Sequence, residues 1–158
     1  GFELQWTWMI TKFLELEQAA DFVQSYNLNT GLALPFTPQP ALKHDLRYTY
    51  KAQASWLEEW YVEAEHAYYF AAQGRFRVDR SEQPTPAYQL WNLSSGVTMH
   101  LSGQELRFNI QVQNLLDTYY LNHLSRYRLI NVPEQGRNVV FSLKMPFSAK
   151  LKKRSDKE

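Results

Sequence analysis

ELRFNIQVQNLL, residues 105–116, alternates over most of its length: Leu106, Phe108, Ile110 and Val112 are apolar, while Arg107, Asn109, Gln111 and Gln113 are polar. Successive side chains of a strand point to opposite faces, so the stretch reads as a strand with one apolar and one polar side. Three homes suit such a strand. In a soluble barrel the apolar side points inward, in a sandwich it meets a second sheet, and in a membrane barrel it meets lipid. The faces alone do not separate these cases.

The alternation recurs along the chain. It marks residues 2–10, with Phe2, Leu4, Trp6, Trp8 and Ile10 opposite Glu3, Gln5 and Thr7. It marks 13–25, with Leu14, Leu16, Ala20 and Phe22 opposite Glu15, Glu17 and Asp21, and 42–50, with Leu42, Leu46, Tyr48 and Tyr50 opposite Lys43, Asp45, Arg47 and Thr49. Residues 60–70 set Trp60, Val62, Ala64, Tyr68 and Phe70 against Glu63 and Glu65, and residues 89–101 set Trp91, Leu93, Val97, Met99 and Leu101 against Asn92, Ser94 and Thr98. Residues 138–147 set Val139, Phe141, Leu143, Met145 and Phe147 against Asn138, Ser142 and Lys144. With 105–114 these predict an all-β, antiparallel meander of about seven long strands. Most run to roughly 9–13 residues, beyond the five or six usual in globular sheets and about what a tilted strand needs to cross a bilayer.

The connections alternate as well. TK (11–12), KAQASWLEE (51–59) and SGQ (102–104) are short or moderate, whereas residues 26–40, 72–87 and 117–136 are long and hold most of the Pro and Gly. Long loops at one end and short turns at the other is the outer-membrane barrel arrangement, with the long loops outside the cell. Aromatics are abundant, with ten Tyr, nine Phe and five Trp, and they fall in two bands. Trp6, Trp8, Tyr48, Tyr50, Trp56 and Trp60 lie toward the short turns, and Tyr68, Phe70, Tyr88 and Trp91 toward the long loops. Two membrane interfaces select such bands, although strands also use aromatic rings for packing alone.

Bulk properties narrow the function. The net charge is +1, so no global field favours nucleic acid. The absence of cysteine excludes disulfides and thiolate metal sites. No run of about 18 apolar residues occurs, so no transmembrane helix is expected, while barrel strands hide their apolar side in a low average. None of His44, His66, His100 and His123 stands at metal-ligand spacing from another, and His44 and His66 interrupt apolar faces as interfacial or packing residues. No Ser-His-Asp order appears, and GRFR (74–77) is not a phosphate loop. Glu15, Glu17 and Asp21 share a face, beside Glu63 and Glu65. Paired carboxylates can do acid–base work, but lumen charge facing Lys43, Arg47, Arg107 and Lys144 is the simpler reading. The expectation is a protein that is not an enzyme and has no cofactor. The loop LNHLSRYR (121–128) is the best ligand-binding candidate, since His123, Arg126, Tyr127 and Arg128 offer cations and a ring to an anionic or chelated ligand. Loops on a rigid barrel commonly carry binding, and the same side chains would also serve packing on neighbouring loops or on lipopolysaccharide. GRFRVDR (74–80) is a second candidate.

Residues 105–147 resemble the last hairpin of TonB-dependent outer-membrane receptors. The family's "V-x-N-L-L/F-D/N-x-x-Y" pattern is matched by Val112, Asn114, Leu115, Leu116, Asp117 and Tyr120, and its "P-x-x-G-R-N" lead into the final strand by Pro133, Gly136, Arg137 and Asn138. The last strand closes on an aromatic residue, Phe147. PTPAYQLWNLSSGV (84–97) is similar to the family's "P-x-Y-x-L-x-N-L-x-x-G", and LPFTPQPALKHDLRY (34–48) to its "L-P-F-x-P-x-x-x-L" passage. Each residue also has a local role: Asn114 and Asp117 can bond nearby backbone at a strand end, and Gly136 permits a turn before the last strand.

The resemblance implies the C-terminal portion of an outer-membrane receptor that imports a scarce ligand such as an iron–siderophore complex. Such receptors resemble barrels of about twenty-two strands around a plug. Residues 1–147 would then supply barrel wall, extracellular loops and a lumen lining that includes Arg107, Asn109, Gln111 and Gln113. The implied partners are outer-membrane lipid, the remaining strands and plug of a parent receptor, and, through its N-terminal part, a TonB-type energy-coupling protein. The implied location is the outer membrane of a Gram-negative cell. The opening GFELQW reads as mid-protein sequence, either a fragment or the product of signal removal. Residues 148–158, SAKLKKRSDKE, depart from the family's aromatic ending and read as a basic, disordered tail, or as a binder of anionic headgroups through Lys150, Lys152, Lys153 and Arg154. Two alternatives stay open: a small eight-stranded structural or adhesive barrel, with its eighth strand inside a loop such as 26–40, and a soluble lipocalin-like carrier.

Overall fold

A computed structural model describes residues 1–35, 37–72 and 83–147. Strands β1 (Phe2–Met9), β2 (Leu14–Phe22), β3 (Ala41–Ala54), β4 (Leu57–Tyr69), β5 (Tyr88–Leu101), β6 (Gln104–Gln113) and β7 (Asn138–Lys144) form one seven-stranded sheet. Neighbours in sequence are neighbours in space, and every pair is antiparallel. The expected all-β meander is therefore what the chain forms. Its edges, β1 and β7, do not pair with each other, so the sheet is open. Among the described residues of 26–40 there is an isolated Tyr26–Ala33 bridge and no eighth strand.

Antiparallel order puts the β1–β2, β3–β4 and β5–β6 connections at one end of the sheet and the long loops at the other. The β5–β6 hairpin turns on Ser102 (φ 50°) and Gly103 (φ 77°), the paired positive φ angles of a two-residue type I′ turn. In the first turn, Thr11 Oγ1 accepts the backbone N–H groups of Phe13 and Leu14 at 3.2 and 3.1 Å. Residues 51–59 correct the sequence reading. They are not a nine-residue connection: β3 runs to Ala54, β4 starts at Leu57, and Ser55 and Trp56 alone make the turn. Ala52 and the charged Glu58 disguised the alternation, because the register shifts between Lys51 and Ala54 on β3 and between Leu57 and Glu59 on β4. Such a bulge adds twist and moves residues between faces.

The register sorts the sheet into two surfaces. Residues directly opposite on neighbouring strands share a face. One face carries rows such as Trp8–Leu16–Leu46–Ala64–Leu93–Val112–Val139. The other carries rows such as Thr7–Glu17–Asp45–Glu65–Asn92 and Thr98–Arg107–Lys144. Nothing among the described residues covers the apolar face. Trp8 is 61 %, Phe141 65 % and Leu143 70 % exposed. Burial instead concentrates at the long-loop end, where Ala33, Thr37, Gln39, Ala72, Thr85, Tyr88, Asn114 and His123 pack into a small cap. Tyr88 is a further correction to the outward aromatic band: it lies opposite Tyr69 on the polar side and is buried there.

Candidate functional site

The polar face holds a recess of about 510 Å³, lined by Glu15, Glu17, Lys43, Asp45, Arg47, Glu63 and Glu65, with Tyr69 and Asn92 at its rim. Three strands place its charges, because β2, β3 and β4 each alternate in phase. Arg47 Nη1 donates to Glu63 Oε2 at 2.7 Å, and its guanidinium lies 3.7 Å from the centre of the Tyr61 ring. Lys43 pairs with Asp21 at 3.1 Å. Neutral amides occupy the outer carboxylates: Gln5 donates to Glu17 at 2.7 Å and Asn92 to Glu65 at 2.9 Å. The result is a wall of fixed charges of both signs, weighted to the acidic side.

Tyr61 ties this wall to β5 and β6. Its hydroxyl accepts from Asn109 Nδ2 at 2.7 Å. Its ring lies over Gly96, where an added Cβ would stand 2.5 Å from Tyr61 Cε1. A larger residue there would displace the Tyr61 ring, which gives glycine a use in the middle of a strand, where it otherwise weakens the sheet. Arg107, Asn109, Gln111 and Gln113 share this face with Thr98, Gly96 and Ser94. Gln113 donates to Gln111 at 3.2 Å, and Arg107 bonds Glu105.

The long β6–β7 loop is tied at both ends by the residues of the NLLD and GRN motifs. Asn114 (φ 49°) accepts the Thr118 N–H at 2.8 Å through Oδ1 and donates to the Thr118 carbonyl at 2.9 Å through Nδ2, while its own N–H donates to Asn92 Oδ1 at 2.9 Å. Asp117 (φ 55°) reaches across the loop and accepts the Arg137 N–H at 2.8 Å. A Cβ on Gly136 would stand 2.8 Å from that same carboxylate oxygen. Tyr120 continues the clasp by packing at a tilt on Tyr88, ring centres 4.6 Å apart, and Tyr88 stacks on Tyr69 at 4.7 Å. Burial against these rings, and secondarily Glu134, raises the pKa of the Tyr120 hydroxyl.

No protein-family model, curated protein or solved structure matches the chain.

The four loop candidates do not converge on one point. His123 is buried, with Nδ1 2.9 Å from Thr85 Oγ1, itself buried. Arg128 donates to the His123 and Gln83 carbonyls at 3.2 and 3.3 Å. These two side chains fasten the β6–β7 loop to the β4–β5 loop. Arg126 and Tyr127 lie on a short 3-10 helix, Arg126–Ile130, and are exposed, Tyr127 to 66 %. The second candidate loop, GRFRVDR (74–80), and the basic residues of 148–158 lie outside the described residues. The recess itself was legible only as separate charged strands, since lateral register brings Glu17, Asp45 and Glu65 into one row.

Proposed function

We propose that this chain is the C-terminal part of the wall of a Gram-negative outer-membrane β-barrel, of the TonB-dependent receptor type. The observation that carries the reading is the apolar face, which stays open across seven strands while the recess lies on the polar face. A soluble protein rarely leaves so large a continuous apolar surface bare. A lipocalin-like carrier would place its cavity on the apolar side. In a membrane wall both faces have a partner: lipid outside and an aqueous, charged lumen inside. The open edges of β1 and β7 pair with the remaining strands of the parent barrel, since unpaired backbone is costly in hydrocarbon.

In this reading Arg107, Asn109, Gln111 and Gln113 line the lumen together with the charged recess. The long loops face outward from the cell and take part in capturing a scarce ligand such as an iron–siderophore complex, with Arg126 and Tyr127 as the accessible contacts. The plug and the TonB-type energy-coupling protein act on the parent receptor, and the segment itself does no covalent chemistry. The motifs that resemble the receptor family have a physical reason here, because they lock the last extracellular loop onto the wall. The test is fractionation of the native gene product. It should stay in the outer membrane through urea washing, dissolve in detergent, and migrate differently on gels before and after boiling. Recovery in the soluble fraction with no heat-dependent shift would defeat the proposal.

A further inference from the structure

His44 and His66 interrupt the apolar face side by side. Pairing of β3 with β4 sets them directly opposite each other. Their rings are parallel to within 6°, with centroids 5.7 Å apart. Each ring is steadied on one side by an amide: Gln18 Nε2 lies 2.8 Å from His44 Nδ1, and Gln89 Oε1 lies 3.3 Å from His66 Nε2. Trp91 closes one flank, its ring 4.3 Å from that of His66. The remaining nitrogens, His44 Nε2 and His66 Nδ1, have no hydrogen-bond partner among the described residues. Both histidines are half-buried, on the row that the apolar face carries.

We propose that His44 and His66 form a binding site for a divalent transition-metal ion of the Zn²⁺, Ni²⁺ or Cu²⁺ class, near the long-loop end of the outward face. Imidazole is the common protein ligand for these ions. A nitrogen bound at about 2.0–2.1 Å puts its ring centre about 3 Å from the ion, so two rings on one ion stand up to about 6 Å apart. The observed centroid separation falls inside that limit. The rings stand stacked, so each imidazole turns about its χ2 to aim its unpartnered nitrogen at the ion, and Gln18 and Gln89 follow the other nitrogen of each ring, the usual support for a ligating histidine. An amide offers either its oxygen or its NH₂ group, so it holds whichever tautomer the metal requires. No group of three His, Asp or Glu side chains able to hold a metal occurs among the described residues, so water completes the coordination. The site lies near the start of β3 and the end of β4, about 10 Å along each strand from the long loops at 3.3 Å per residue. That depth suits the aqueous rim of a membrane.

Cu²⁺ is the direct probe, because electron spin-echo spectra count the imidazoles bound to it. The chain in detergent micelles should bind one Cu²⁺ with two imidazoles, and binding should quench the fluorescence of the adjacent Trp91, a loss absent in Trp91→Phe. His44→Gln and His66→Gln, which keep a polar side chain in the row, should each leave a one-imidazole spectrum and weaken binding by at least about tenfold. His100→Gln and His123→Gln should change neither readout. Circular dichroism establishes that each variant retains its strands, and His44→Asn and His66→Asn stand in for any that does not. The proposal fails if the wild-type chain binds no Cu²⁺, shows one imidazole, or keeps two in both variants.

Discussion

Gly136 and Asp117 show how a motif residue works through a single contact. The Asp117 carboxylate sits where a Gly136 side chain would begin, and it holds the Arg137 N–H. Gly136→Ala should therefore lower stability by about 1–3 kcal/mol, as overpacking does, measured as an earlier urea midpoint in detergent. Combining it with Asp117→Ala should cost less than the sum of the two single changes, because both act on one contact. Asn114→Ala removes a donor and an acceptor at a positive-φ position and should cost about 2–3 kcal/mol. These roles were partly legible: an Asn and an Asp at a strand end announce backbone bonding. Which carboxylate meets which glycine was not, since the partners stand at opposite ends of the loop. The cations of LNHLSRYR were legible only as chemistry. Packing decides that His123 and Arg128 fasten the loop, while Arg126 and Tyr127 reach solvent. Under the proposed receptor function, Tyr127→Ala should weaken ligand binding by roughly tenfold, as loss of an exposed aromatic anchor does, with loop protease resistance unchanged. His123→Ala should raise loop cleavage.

Strands and turns were the most legible part of the chain. Period-two alternation marks every one of the seven, because side-chain direction in a strand depends on parity alone. The 51–59 stretch was missed for the same reason, as a bulge breaks parity where β3 and β4 continue. Lateral pairing is the other hidden variable. His44 and His66 look unrelated along the chain and become neighbours only once β3 and β4 are in register. Turn chemistry gives a test at this scale. Gly103 has φ 77° and open space around its Cα, so Gly103→Val introduces conformational strain without a clash. It should cost about 1–2 kcal/mol, read from the unfolding midpoint. Ser102→Asn should act in the opposite direction, because Asn tolerates the positive φ of a type I′ turn better than Ser does.

The described residues form no core of the kind that a soluble sheet builds between layers. The buried residues gather under the long loops, and the apolar strand faces look outward. In water without detergent the chain should aggregate through that face and through the free edges of β1 and β7. Within a barrel wall the two faces should respond differently to charge. Ile110→Arg should destabilise insertion by about 2–4 kcal/mol, whereas Gln111→Arg should be tolerated, as judged by heat-modifiable migration. The assignment of lipid to one face and lumen to the other is the centre of the account. The chain has no cysteine, so Phe108→Cys and Gln111→Cys each give one clean attachment point for a nitroxide. In reconstituted bilayers, the label at 108 should collide with oxygen dissolved in lipid and the label at 111 with a water-soluble nickel chelate. The reverse pattern, with the label at 111 in lipid and the label at 108 in water, would contradict it.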